Sequence, residues 1–268
     1  MISILGIPYD ASSSFMRGPA KAPACIREAL QSASSNLSIE NGTTFDDPIS
    51  IEDLGDLDLL DFESAQSMRD GITQAIAAIV KKGHQTLVLG GDHSISFPVI
   101  RAHAQAYPDL HIVQFDAHPD LYDHLDGDRY SHACPFARLL EAYPHVGLTQ
   151  IGIRTMNAHC QLQADRFGVR VFEMKDLPAP SALDIQGPVY LSIDLDVLDP
   201  AFAPGVSHYE PGGLSVRELL TFVHSIRNRI VGADVVELNP TRDRDSQTAM
   251  VAAKLVKELA GQMIANPF

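Results

Sequence analysis

Apolar positions along this chain come in two alternating textures. Short runs rich in β-branched residues lie at Ile2–Leu5, Thr86–Leu89, His111–Phe115, Val146–Ile151, Val169–Phe172, Val189–Ile193 and Val231–Val236. Between them, apolar residues recur at helical spacing over Ser64–Lys82, Ser94–Ala106, Cys134–Glu141, Val216–Asn228 and Ser246–Met263. The strand runs are apolar without alternation, which is what a strand needs when both of its faces are buried. Strands of that kind alternating with helices predict an α/β protein: a mostly parallel central sheet with helices on both faces. The Ser-rich stretch Ser32–Ser38 and the segment Asp123–Ser131 read as loops. No repeat, low-complexity tract or shift in composition marks a linker, so the expectation is one domain over residues 1–268.

Composition narrows the function more than the fold. With 45% hydrophobic and 20% charged residues the chain is ordinary for a globular protein, but its formal net charge is −14. That charge argues against a nucleic-acid or anionic-membrane partner and suits a cationic ligand or bound cations. Cys25, Cys134 and Cys160 are odd in number and widely spaced, so neither a disulfide framework nor a zinc knuckle follows. No apolar run approaches the roughly 18 residues that span a bilayer. Strand-like residues begin at Ile2 with no visible signal peptide, and a cytosolic location is expected.

Parallel sheets of this class place ligands at the carboxyl ends of their strands. Three of those ends are dense in ligand-type residues: Gly90-Gly91-Asp92-His93-Ser94, Asp116-Ala117-His118-Pro119-Asp120, and Asp194-Leu195-Asp196 with Asp199-Pro200 beyond. In extended backbone, residues two apart share a face, so Asp116, His118 and Asp120 are expected to point one way, as are Asp194 and Asp196. With His93 this gives two imidazoles and four carboxylates at one rim. Four uncompensated carboxylates would repel strongly in a low-dielectric pocket. Two divalent cations offset that charge, and a carboxylate-rich set with some nitrogen favours Mn²⁺ over Zn²⁺ or Ni²⁺. A single Asp-x-Asp is more often a turn or cap; three such motifs at separate strand ends are not explained by capping.

These three motifs resemble the signature motifs of the ureohydrolases, the arginase–agmatinase family. Gly6-x-Pro8, Arg17-Gly18-Pro19 and Ile26-Arg27 resemble the family's amino-terminal strand and loop. Pro204-Gly205 to Gly212-Gly213-Leu214, and then Glu237-Leu238-Asn239-Pro240, resemble its carboxyl-terminal third. The resemblance implies a three-layer α/β/α fold, homo-oligomeric assembly as trimers or hexamers, and two Mn²⁺ per subunit bound by His93, Asp116, His118, Asp120, Asp194 and Asp196. Ni²⁺ or Co²⁺ stand as alternative metals.

The reaction it implies is hydrolysis of a small cationic guanidino substrate by a metal-bridging hydroxide. His132 would be the proton shuttle and Glu237 the clamp on the guanidinium, with a salt bridge from Glu237 to Arg242 or Arg244 as the competing explanation. Asp92 and Asp199 read as supporting or turn residues. His208 stands where many relatives carry Thr-Gly-Thr-Pro and is expected to line the pocket. Asn157 matches a position where animal arginases place an acidic residue near the substrate's α-amino group. Segments 201–214 and 231–259 most resemble plant-type arginases, so the expected substrate is L-arginine, cut to L-ornithine and urea. Arg129 or Tyr130 would serve the α-carboxylate. Agmatine, guanidinobutyrate and formiminoglutamate remain alternative substrates, since Asp123, Asp126 and Asp128 in the same loop point toward a cation without a carboxylate. From other classes, a two-metal phosphoesterase would need an Arg/Lys cluster beside the metals, and a single-zinc deacetylase would not need all six ligands.

Overall fold

The computed structural model describes residues 1–45 and 50–266. Eight strands form one sheet: β1 (Ile2–Gly6), β2 (Ile51–Asp56), β3 (Gln85–Leu89), β4 (His111–Phe115), β5 (Gly147–Ile153), β6 (Arg170–Glu173), β7 (Val189–Asp194) and β8 (Ile230–Val236). Their spatial order is β2-β1-β3-β8-β7-β4-β5-β6, and every pairing is parallel. The helices are α1 (Ala22–Gln31), α2 (Ala65–Lys81), α3 (Ser96–Ala106), α4 (Pro135–Ala142), α5 (Ala158–Phe167), α6 (Val216–Ser225) and α7 (Gln247–Ala265).

Side-chain alternation along the buried strands divides the interior into two cores. Leu87 and Leu89, Val113 and Phe115, Leu191 and Ile193, and Ala233 and Val235 point to one face, where Ile26 of α1, Leu220 of α6 and Val256 of α7 cover them. Val88, Ile112, Tyr190 and Val231 point to the other, against Ile72 of α2, Val99 of α3 and Leu139 of α4. The result is the three-layer architecture, and the unbroken apolar strand runs follow from it: neither face of β3, β4, β7 or β8 meets water.

Three elements escape the apolar pattern. The strand β2, Ile-Glu-Asp-Leu-Gly-Asp, lies at the sheet edge and is largely exposed, so it joins β1 through backbone pairing without an apolar run. In α5 only Cys160, Gln163 and Ala164 are buried; its signals are the Asn157 cap and the left-handed Gly168 that ends it. In α1 the Pro23 of the first turn marks the start.

Candidate metal centre and substrate cavity

The loops that follow β3, β8, β7 and β4 carry the chemistry, and those four strands are consecutive neighbours in the sheet. After β3 the chain passes Gly91, where an added Cβ would sit 1.7 Å from the Tyr9 carbonyl oxygen, so only glycine permits the close approach of the amino-terminal loop. Asp92 then caps a single 3₁₀ turn, His93–Ile95, accepting from the Ser94 amide at 3.1 Å, while its other oxygen accepts from the Ser12 amide and the Ser13 hydroxyl. Burial and then the charge of Glu237 push the Asp92 carboxyl up to about 7.

His93 is wholly buried, and its Nδ1 lies 3.1 Å from Asp116 Oδ2, 3.0 Å from Asp120 Oδ2 and 3.2 Å from Asp194 Oδ2. His118 Nδ1 lies 2.9 Å from Asp196 Oδ2 and 3.5 Å from Asp116 Oδ1. Ligand atoms of His93, Asp116 and Asp194 form one group within 4.8 Å of one another, and those of Asp116, His118 and Asp196 form a second. Asp116 belongs to both.

The six residues predicted from the motifs do converge, but not by strand alternation. The strand β4 ends at Phe115, and Asp120 adopts a left-handed backbone with φ 49°. Asp194 closes β7 and caps a 3₁₀ turn that contains Asp196, whose amide donates to Asp194 Oδ1 at 2.9 Å. Turns rather than extended chain aim these carboxylates.

The donor set fits cations on an observation of its own. His93 Nε2 is committed to Ser192 Oγ at 3.0 Å, and Ser192 in turn donates to the buried Asp234 at 2.7 Å, which also accepts from Tyr190 OH. Since the Ser192 proton goes to Asp234, Nε2 carries the histidine proton, and Nδ1 faces three carboxylate oxygens with no hydrogen-bond partner of its own. Burial pulls an imidazolium at His93 down, but the three carboxylates hold it well above its ordinary value. Burial and the neighbouring Asp196 and Asp116 charges push the Asp194 carboxyl well up. Such a cluster is short of positive charge, and its donor set is one that divalent cations would fit. Support comes from behind: Gln114 Nε2 donates to Asp116 Oδ2 at 2.7 Å, the Ala117 amide to Asp196 Oδ1 at 3.0 Å, and Arg154 Nη2 to the Asp196 carbonyl at 2.6 Å.

The clusters open into a cavity of about 210 Å³ lined by Ser14, Tyr122, His132, Thr155, His208, Glu210 and Glu237 among others. Glu237 follows β8 with φ 66°, a left-handed conformation that costs a non-glycine residue about 1–3 kcal/mol and turns its side chain to this rim. Its Oε1 accepts from the His93 amide at 2.9 Å and meets His132 Nδ1 at 3.1 Å. No ion pair to Arg242 or Arg244 forms; Arg242 instead donates to the Ser207 carbonyl and stacks over Tyr209. Burial pushes the Glu237 carboxyl up, and His132 with the His93 amide more than offsets it, leaving the group below the usual carboxylate range. Burial likewise pulls His132 down, but Glu237 opposite it, with Asp120 and Asp92 nearby, raises it to about 9. His132 Nε2 bonds Ser14 Oγ at 2.8 Å, and the His132 ring stacks on His208 at 5.4 Å.

Three expected substrate contacts lie elsewhere: Tyr130 is absent from the cavity lining and packs instead against Phe97 and under the Arg69 guanidinium. Arg129 is exposed and spent on ion pairs, both at 2.9 Å, that bridge Asp123 of its own loop to Glu141 of α4. Asn157 accepts from the Cys160 amide as the cap of α5, and its Nδ2 donates to Tyr122 OH at 2.5 Å; it reaches the cavity only through that phenol. Ser14, Tyr122, Thr155 and Glu210 are the polar lining residues that sequence reasoning missed, each isolated in a loop with no spacing pattern to mark it. Among the described residues no lysine or arginine lines the cavity, which removes the anion-binding cluster a phosphoesterase would need.

The chain matches the family model described as Arginase over residues 1–261. It is 46% identical to the mitochondrial arginase 1 of Arabidopsis thaliana over 276 positions, covering 97% of this chain and 80% of that one. It is 34% identical to the agmatinase of Bacillus subtilis (strain 168) over 269 positions, covering 96% and 89%. The solved arginase from Medicago truncatula superposes with a TM-score of 0.91 at 41% identity, covering 98% of this chain and 87% of that one. The expected cytosolic location does not stand, because the Arabidopsis relative is a mitochondrial protein by name. A catalytic fold is the same in any aqueous compartment, and cellular addresses are carried by segments separate from it. With carboxylates and imidazoles from three strand ends gathered in one cavity, and the family match running through all of them, the chain belongs to the arginase family, hydrolases that cut C–N bonds in linear amidines.

Proposed function

We propose that this protein, as one catalytic domain, hydrolyses L-arginine to L-ornithine and urea with two Mn²⁺ held by His93, Asp116, His118, Asp120, Asp194 and Asp196. The observation that carries the reading is Asp116, buried and common to both ligand groups, whose members His118, Asp194 and Asp196 line a cavity that also presents the Glu237–His132 pair. The likeness to the Arabidopsis arginase supports arginine as substrate. Homo-oligomeric assembly belongs to the same reading.

Divalent cations held by these residues would activate water at neutral pH and offset developing negative charge. The chain's own residues do the rest. A guanidinium entering the cavity meets Glu237 Oε1, which holds and orients the planar cation by charge-assisted hydrogen bonds. Glu237 is also the partner that keeps His132 protonated below about pH 9. When a guanidinium takes over that carboxylate, the hold on the His132 proton weakens. An imidazolium brought back toward the ordinary value near 6.5 is a competent acid for the departing amine nitrogen. His208 stacks on His132 and keeps its ring plane against the cavity.

Arginine's α-carboxylate meets a neutral donor. Asn157 Nδ2 donates to the Tyr122 oxygen, so the phenol proton is free to point into the cavity. Tyr122→Phe is expected to raise KM for arginine roughly tenfold, the worth of one hydrogen bond to a charged group, and to leave agmatine nearly untouched. Agmatine hydrolysis is the second reading, favoured by the absence, among the described residues, of a lining lysine or arginine to meet a carboxylate. Urea release from arginine and agmatine measured side by side, with metal content per chain, tests the proposal; agmatine cleaved in strong preference to arginine overturns the arginine assignment.

A further inference from the structure

Five carboxylates line the cavity: Asp120, Asp194, Asp196, Glu237 and Glu210. The first three stand in the ligand clusters and Glu237 is paired with His132. Glu210 alone has no such commitment. Its side chain is 38% exposed, and its Oε1 stands 3.9 Å from His118 Nε2, beyond hydrogen-bond reach.

The Glu210 backbone, in contrast, is fixed. Arg154 Nε donates to its carbonyl at 2.8 Å, and the same guanidinium donates through Nη2 to the Asp196 carbonyl. Two residues on, the Gly212 amide donates to Asp199 Oδ2 at 2.7 Å. Arg154 thus ties the loop that carries Glu210 to the turn that carries Asp196, so the backbone from which the carboxylate projects is held at a set position relative to the clusters. A partly solvated anion on a fixed stretch of backbone, at a cavity wall with no lysine or arginine among the described residues, selects for cations.

We propose that Glu210 is a specificity-determining residue that binds the distal ammonium of the substrate, the cationic group at the end remote from the guanidinium. This rests on the function proposed above and deepens it. The cavity then recognises a molecule with positive charge at both ends: guanidinium at Glu237 and ammonium at Glu210. Arginine and agmatine both qualify. A guanidino compound without an ammonium, such as n-butylguanidine, lacks the second contact, and 4-guanidinobutanoate brings a carboxylate in its place. The contact with the α-amino group that the sequence resemblance suggested for Asn157 thereby passes to a different loop, between β7 and α6.

The test uses the manganese-loaded full chain and urea release from L-arginine, agmatine and n-butylguanidine, for the unaltered protein and for Glu210→Gln. The expected result is a rise in KM of roughly tenfold for arginine and agmatine, the magnitude of a charge-assisted contact discounted for partial exposure. The kcat stays within about twofold, metal content is unchanged, and kcat/KM for n-butylguanidine does not fall. Glu210→Asp, which keeps the charge on a shorter arm, should recover part of the loss. Equal weakening of all three substrates, or an unchanged KM for arginine, overturns the proposal. Loss of metal together with kcat also overturns it, since Glu210 would then act through His118. If the unaltered protein releases urea from none of the three, the parent reading fails and this one with it; if it does and Glu210→Gln leaves their ranking intact, only the ammonium contact fails.

Discussion

Asp116→Ala is expected to lose bound manganese and, with it, urea release by about a thousandfold or more, because several kcal/mol of transition-state stabilisation depend on the ions. Asp116 is the ligand that both groups share, so no other single substitution unmakes both positions. Elemental analysis of the purified variant should show well under one manganese per chain. Unfolding supplies an independent readout. Manganese at about a thousand times its Kd adds about 4 kcal/mol to the stability of a protein that binds it only when folded. The melting temperature of the unaltered chain should therefore rise with manganese while that of Asp116→Ala stays flat. Without metal the variant should itself be less stable than its parent, since the Asp116 carboxylate accepts from Gln114 Nε2 and the His118 amide, and, against its burial, the His118 and His93 rings hold its pKa below the usual carboxylate range. A variant that keeps two ions and full turnover would remove the foundation of the proposed reaction.

Glu237→Gln separates the metals from the substrate. The side chain touches His132 and the His93 amide but is not one of the ligand residues, so metal content should persist. A neutral amide cannot form the paired charge-assisted contact with a guanidinium, and kcat/KM should fall about a hundredfold. The same substitution frees His132. In the metal-free protein its pKa should drop from about 9 toward or below the ordinary imidazole value of about 6.5, because burial then meets less opposition; histidine NMR titration reads it directly. The sign for stability follows. A raised folded-state value means that the pair stabilises the protein fully below about pH 6.5 and loses that contribution as pH rises through about 9. The difference in melting temperature between the parent and Glu237→Gln should accordingly shrink across that interval. An active Glu237→Gln enzyme would end the assignment of Glu237 as the guanidinium clamp.

How much was legible beforehand depended on whether a residue's role is local. The buried strands announced themselves, because a strand covered on both faces must be apolar throughout, and β4 appears at its expected bounds. The helices α2, α3, α4, α6 and α7 showed their apolar faces in the same way. By contrast β2 has an open edge and α5 a mostly wet surface, so neither had to be apolar. In the site, the six ligand-type residues were visible because each lies within a few positions of a strand end. Their expected geometry was not: Asp120 and Asp196 reach the rim through turns and not through extended chain. Arg129 and Asn157 were chosen by position along the chain, and their side chains turn to nearer partners.

The sequence by itself determined the layered parallel fold, the set of candidate metal-binding residues and the family, because periodicity and short motifs are properties of neighbours along the chain. Only the tertiary structure decided the strand order that inserts β8 between β3 and β7, and so brings Glu237 beside His93 although 144 residues separate them. It alone paired His132 with Glu237, set Asp234 behind His93 through Ser192, and tied the Glu210 loop to Asp196 through Arg154. Those contacts join loops from distant strands. Nothing in a local pattern encodes them, since they arise from how the sheet is ordered and how tightly its carboxyl edge is packed.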